Sequence, residues 1–242
     1  MTLHVSKDTT ELSTHVADWM VSVIHSTLAK QDRFTLALSG GSTPKKLHEL
    51  LASDAYKNKI DWSKVHIFWG DERFVPLADE RSNAKMAFDT LLNHVPVPKE
   101  QIHIMQTENI TPEASATAYT AILQQYFGAT THSFDLVLLG MGDDGHTLSL
   151  FPGLPVIHET AKPATSLWLQ AQDMYRITLT HPIVNQSAYV AFLAAGANKA
   201  NVLREVLKGK KNVDLYPSQI IQPEKGELHW FVDEAATTLL ND

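Results

Sequence analysis

The sequence predicts one α/β domain around a mostly parallel central sheet, and three observations carry that prediction. Short apolar segments alternate with helical ones along the chain. Residues 134–139, Phe-Asp-Leu-Val-Leu-Leu, are apolar almost throughout, the pattern of a central strand covered on both faces. Three of the apolar segments stop at glycine: Ser39-Gly40-Gly41, Gly70 and Gly140.

In chain order, residues 10–30 place Leu12, Val16, Trp19, Met20, Val23, Ile24 and Leu28 at the spacing of one helical face. Residues 34–38 read as a short buried strand. Behind it, Thr43 is expected to cap a helix with Pro44 at its first position, Leu47, Leu50 and Leu51 facing inward. Residues 65–69 form a second strand ending at Gly70-Asp71. Residues 82–92 look helical with Ser82 as cap, and residues 112–127 look helical again. After the strand at 134–139, residues 176–180 and 188–193 follow as further strands. An Asn198-capped helix then runs over residues 198–208. Residues 228–232 form a last strand, and Asp233 caps a short terminal helix. No repeat or linker divides the chain, so residues 1–242 are expected to form a single domain.

Composition excludes several functions. The 242 residues contain no cysteine, which removes disulfides, thiolate metal sites and a cysteine nucleophile. A net charge of -7 argues against a nucleic-acid or anionic-membrane partner, while leaving room for a local basic site. No apolar run approaches the roughly 20 residues of a membrane span, and the start has no leader-like segment. A cytoplasmic protein is expected. The 12 histidines mean that an active one must be picked out by its surroundings.

In parallel sheets ligands sit beyond the carboxyl ends of the strands, so the strand exits are the candidate sites. The first, Ser39-Gly40-Gly41-Ser42-Thr43-Pro44, combines close backbone approach with hydroxyls and helix-start amides that suit an anion, or else is a tight turn. The second, Gly70-Asp71-Glu72-Arg73, puts charge directly after an apolar strand and directs one carboxylate and Arg73 toward a site. Asp79 to Ser82 reads as a solvated helix start.

The third exit, Gly140-Met141-Gly142-Asp143-Asp144-Gly145-His146-Thr147, formally satisfies a dinucleotide fingerprint. It lies mid-chain, however, has two aspartates where a pyrophosphate needs amides, and lacks an acidic residue about 20 positions on. What remains is Asp144 beside His146, a carboxylate that orients an imidazole as a general base. The fourth exit, Gly196-Ala197-Asn198-Lys199, puts a cation in the first turn of a helix and so suggests an anionic partner. Arg176 adds a second positive charge. A divalent ion on Asp71, Asp144 and His146 is the rival reading.

Together these segments resemble the 6-phosphogluconolactonase family. The resemblance rests on Ser39 to Pro44, Trp69-Gly70-Asp71-Glu72-Arg73-Phe74-Val75-Pro76, Asp79-Glu80-Arg81-Ser82-Asn83, and Gly140 to Thr147 continuing to Leu150-Phe151-Pro152. Arg176-Ile177-Thr178-Leu179-Thr180, Gly196-Ala197-Asn198-Lys199-Ala200 and Gly226-Glu227-Leu228-His229-Trp230-Phe231 match in the same order. The family is similar to glucosamine-6-phosphate deaminases and shares their Rossmann-like three-layer architecture. The resemblance implies that Ser39, Gly40, Gly41, Ser42, Thr43, Arg176 and Lys199 hold a sugar phosphate, and that Asp71, Asp144 and His146 are the site's aspartates and histidine.

Phe151 stands where the deaminases carry a ring-opening glutamate, which favours a lactonase. The implied reaction is hydrolysis of 6-phospho-D-glucono-1,5-lactone in the pentose phosphate pathway. His146 acts as base, Asp144 as its orienter, Arg73 as oxyanion or hydroxyl anchor, and Asp71 as organiser of Arg73. No cofactor or metal is called for, and the sugar-phosphate lactone is the only implied partner of a monomer or dimer. A sugar-phosphate deaminase or isomerase, and a non-catalytic sugar-phosphate sensor, are the alternatives.

Overall fold

Six parallel strands make the central sheet in the computed structural model, which describes residues 1–128, 130 and 132–240. The first half runs through β1 (Thr2–Ser6), α1 (Thr9–Leu28), β2 (Phe34–Leu38), α2 (Ser42–Leu51), β3 (Val65–Trp69), β4 (Asp71–Arg73), α3 (Asn83–Ala87) and α4 (Pro112–Phe127). The second half comprises β5 (Leu136–Gly140), β6 (Ala164–Leu169), β7 (Met174–Leu179), α5 (His181–Asn185), β8 (Tyr189–Ala194), α6 (Ala200–Lys208), β9 (Glu227–Asp233) and α7 (Glu234–Thr237). The sheet order is β1-β9-β8-β5-β2-β3, with a separate antiparallel sheet β4-β7-β6.

Successive side chains of a strand point to opposite faces, and both faces are covered. Leu36 and Leu38 of β2 and Leu136 and Leu138 of β5 join Val16, Met20 and Leu47 from α1 and α2 in one core. Ala37, Val137 and Leu139 join Tyr119 and Leu123 of α4 and Leu203 of α6 in the other. Burial on both faces is why these strands read as continuous apolar runs.

The chain leaves β2 outward to β3 and later returns on β2's other side as β5. The two strands are pinned where they begin: Asp135 accepts the Thr35 N–H at 2.7 Å and its hydroxyl at 2.8 Å. They pair only at Leu36–Leu136 and Ala37–Val137, after which their exits part. Gly70 joins the two sheets, donating to the Leu38 carbonyl at 2.9 Å and accepting from the Leu179 N–H at 2.8 Å. A side chain there would meet Leu148, since a Cβ would lie 2.6 Å from its Cδ2.

Several expectations need correction. The strand expected at residues 176–180 lies in the small antiparallel sheet, and Asp71–Arg73, read as an exit loop, is that sheet's edge strand. β1 and β6 are strands beyond those expected from the apolar segments. Gly41, with φ +105°, ends the first exit, so α2 begins at Ser42 and Thr43 is not its cap. The fourth exit forms a 3-10 turn at Ala197–Lys199, and α6 starts at Ala200 with no Asn198 cap. The helix at 82–92 is α3 followed by a π turn at Phe88–Leu92, and its Ser82 cap is buried rather than solvated. Among the described residues, no helix is long and apolar enough to cross a membrane.

Tyr119 fastens α4 to the site end of β3, accepting the Trp69 N–H at 2.9 Å and donating to the Trp69 carbonyl at 3.0 Å. Tyr119→Phe leaves both buried groups unpaired. It is expected to lower unfolding free energy by about 2–4 kcal/mol, measured by urea denaturation.

Candidate active site

Where the exits of β2 and β5 part, a cleft of about 210 Å³ opens, lined by Ser39, Gly40, Gly41, Gly140, Met141 and Gly142. The small sheet and its β6–β7 turn supply the opposite wall, with Asp71, Arg73, Gln172 and Arg176; Asn83, His146, Leu148 and Phe151 complete the lining. The first exit fits this place because Gly40 has no side chain: a Cβ would lie 1.9 Å from the Asn83 Oδ1. Among the described residues no side chain caps α2, whose first-turn amides have no intrahelical partners. Ser42 and Thr43 are in that first turn and do not line the cleft; Ser42 is exposed.

Strand alternation sorts the second exit. Asp71 and Arg73 face the cleft, while Glu72 turns the other way into the start of α3. There the Glu72 carboxylate accepts the N–H groups of Arg73, Asn83 and Ala84, each at 2.7 Å, and the Ser82 hydroxyl at 3.1 Å. Burial pushes its carboxyl above the ordinary value, against the opposing pull of those amides. Arg73 donates to the Arg81 carbonyl at 2.8 Å, and its Nε is buried without a partner among the described residues.

Asp71 does not meet Arg73. Its carboxylate accepts from the Ser149 hydroxyl at 2.7 Å and from Asn83 Nδ2 at 3.3 Å, and stands 3.7 Å from an Arg176 nitrogen. Arg176 is opposite Arg73 in the β4–β7 register, donates to Gln172 and lies 5.9 Å from the centre of the Phe151 ring. Burial lowers its guanidinium below the ordinary value and the Arg73 charge adds to that, against Asp71. Its Nε also lacks a partner among the described residues.

The third exit builds the Asp144–His146 pair. Asp144 Oδ1 accepts the His146 backbone N–H at 3.0 Å and its ring Nδ1–H at 2.6 Å. A carboxylate has no proton to give, so Nδ1 carries a proton, and in the neutral imidazole Nε2 is then the nitrogen with the lone pair. Burial raises the Asp144 carboxyl, but the His146 hydrogen bond and charge outweigh it and hold it below its ordinary 3.8. Its stabilising contribution is therefore present above the ordinary carboxylate range and is lost as pH falls through the lowered value. The Phe151 ring lies 4.3 Å from the imidazole, tilted by 32°.

The glycines of this exit make room for that pair and for a turn. A Cβ on Gly142 would fall 2.1 Å from His146 Nδ1 and 2.6 Å from Asp144 Oδ1, and Gly145 has φ +81°. Asp143 faces away, bonded to Lys199 and, at 2.9 Å, to Asn198. Lys199 is therefore held on Asp143 and is not part of the cleft lining. Among the described residues no group of three or more His, Asp or Glu is gathered around a possible ion position.

Asn83, Ser149, Gln172 and Leu148 were not singled out from the sequence. Asn83 stood within a matched motif but carried no chemical signal of its own. Gln172 lies in a polar turn like many others.

The chain matches the family model described as glucosamine-6-phosphate isomerases/6-phosphogluconolactonase over residues 7–230. It is 40% identical to a 6-phosphogluconolactonase of Nostoc sp., over 97% of this chain and 96% of that one. The crystal structure of a 6-phosphogluconolactonase from Thermotoga maritima superposes with a TM-score of 0.82 at 28% identity, covering 96% of this chain and 99% of that one. A monomeric glucosamine-6-phosphate deaminase superposes with a TM-score of 0.85 over 99% and 100% of the two chains; at 19% identity it shares the fold alone.

Gly142→Ala tests the geometry. The added methyl is expected to break the Asp144–His146 hydrogen bond while the fold survives, read as loss of the downfield Nδ1–H proton resonance of His146. Retention of that resonance would show that the glycine is dispensable.

Proposed function

Because the chain belongs to the glucosamine-6-phosphate isomerase/6-phosphogluconolactonase family, we propose that it hydrolyses 6-phospho-D-glucono-1,5-lactone to 6-phospho-D-gluconate. This is the second step of the oxidative pentose phosphate pathway, and residues 1–242 act as one cytoplasmic lactonase domain, a monomer or dimer. The single observation that carries the reading is the His146–Asp144 pair facing two arginines across one cleft.

In this reading His146 Nε2 takes a proton from water as the water oxygen bonds to the lactone carbonyl carbon. The carbonyl oxygen gains the electron pair, and Arg73 stabilises that negative charge. When the intermediate collapses, the C–O bond to the ring oxygen breaks and the imidazolium returns its proton to that oxygen. Asp144 holds the ring so that Nε2, not Nδ1, does this work, and it stabilises the imidazolium while it exists. Arg176, the amides of residues 39–43 and Lys199 hold the phosphate. Lys199 must leave Asp143 to do so. An apolar Phe151 against the imidazole, with no carboxylate in its place, supports ester hydrolysis over deamination.

Lactone hydrolysis above the spontaneous rate, unchanged by excess EDTA, is the direct test; ammonia release from glucosamine 6-phosphate would support the deaminase instead. His146→Ala is expected to lower kcat by on the order of a hundred- to ten-thousandfold with the fold intact. Near-normal turnover in that variant would remove His146 from the mechanism. Lys199→Ala is expected to raise KM for the phosphorylated lactone and change kcat little; an unchanged KM would place the phosphate elsewhere.

A further inference from the structure

Arg176 and Asp71 are both buried, at 4% and 8% exposure, yet their ion pair is not closed: the nearest nitrogen and oxygen are 3.7 Å apart. A charge-assisted hydrogen bond between them would be about 2.8 Å long. Two tethers hold Asp71 back. Ser149, fully buried, donates its hydroxyl to Oδ2 at 2.7 Å. Asn83 donates Nδ2 to the Asp71 carbonyl at 2.9 Å and to Oδ1 at 3.3 Å.

The orientation of the Asn83 amide follows from its partners. Both atoms it meets on Asp71 are acceptors, so the NH₂ end must face them, and Oδ1 is left buried without a partner beside Gly40. An unpaired buried carbonyl is unfavourable, which makes the donor end the reason for an amide at this position. The Asn83 backbone is fixed too, by its N–H on Glu72 at 2.7 Å. Ser149 is fixed by its own N–H on the Thr178 hydroxyl at 3.2 Å.

We propose that Asn83 and Ser149 are positioning residues that hold the Asp71 carboxylate off Arg176, keeping the guanidinium available to an anionic group of the ligand. Without a tether, Asp71 turns and closes a short pair with Arg176. The ligand's anion must then displace a carboxylate before it can bind. Arg176 donates to the neutral Gln172 amide, and its Nε has no partner among the described residues. The inference deepens the proposed function and rests on it for the identity of the anion.

The test is a double-mutant cycle read by calorimetric binding of 6-phosphogluconate to the full chain. Asn83→Ala is expected to weaken binding about tenfold, within the range of couplings between neighbouring groups. In an Asp71→Asn background, where no carboxylate remains to close on Arg176, the same change is expected to alter binding less than twofold. Ser149→Ala should reproduce both results, and it replaces Asn83→Ala in the cycle if that variant does not fold. Equal losses in the two backgrounds, or undisturbed binding in both single variants, would overturn the clamp. Failure of the wild type to hydrolyse the lactone defeats the proposed function instead; the cycle is then read with inorganic phosphate, with the same expected coupling.

Discussion

Everything at the site depends on the parting of β2 and β5. Asp135 pins their beginnings together, and the chain then turns to opposite sides of the sheet after each. Two strand exits that diverge leave a crevice that no side chain of the sheet fills. Each exit is glycine-rich for a different steric reason. Gly40 makes way for the Asn83 amide and Gly142 for the imidazole and its carboxylate. Gly70 then ties the small sheet across the opening, so that the arginines of β4 and β7 face the histidine rather than solvent.

This arrangement separates two kinds of carboxylate. Asp144 is half exposed and committed to an imidazole, whose ring it orients through Nδ1. Asp71 is buried among donors and stands 3.7 Å from a nitrogen of one arginine, Arg176. Glu72, one residue on, points into the protein and organises the start of α3, which in turn carries Asn83 to Asp71. Asp71 and Glu72, neighbours in β4, thus do different things because a strand alternates its faces. It also explains how a chain of net charge -7 holds a basic pocket: Arg73 and Arg176 are paired across one register position.

Much of this was legible in the sequence. Central strands stood out because burial on both faces makes them apolar runs, and the Asp144–His146 pair stood out because local spacing alone brings the two side chains together. What was hidden depends on distant segments. β4 is three charged residues whose strand character comes wholly from pairing with β7, and β1 is an edge strand held by β9. The contacts of Asp71 with Ser149 and Arg176 join residues 78 apart in one case and lie on separate strands in the other. No spacing rule reaches them, which is why Arg73 was the expected partner. Gly41 took the cap position from Thr43 through a backbone angle, φ +105°, that composition does not specify.

The central claim is that the crevice between the two exits is where the sugar phosphate binds. A titration of isotope-labelled protein with 6-phosphogluconate, followed by NMR, tests it most directly. Shifts are expected at the amides of Gly40, Gly41 and Gly142, the imidazole of His146 and the guanidinium groups of Arg73 and Arg176. A second surface cleft, bounded by Leu123, Phe127, Lys162 and Ile183, provides the contrast. Shifts centred there, with the glycine exits and His146 unmoved, would contradict the assignment.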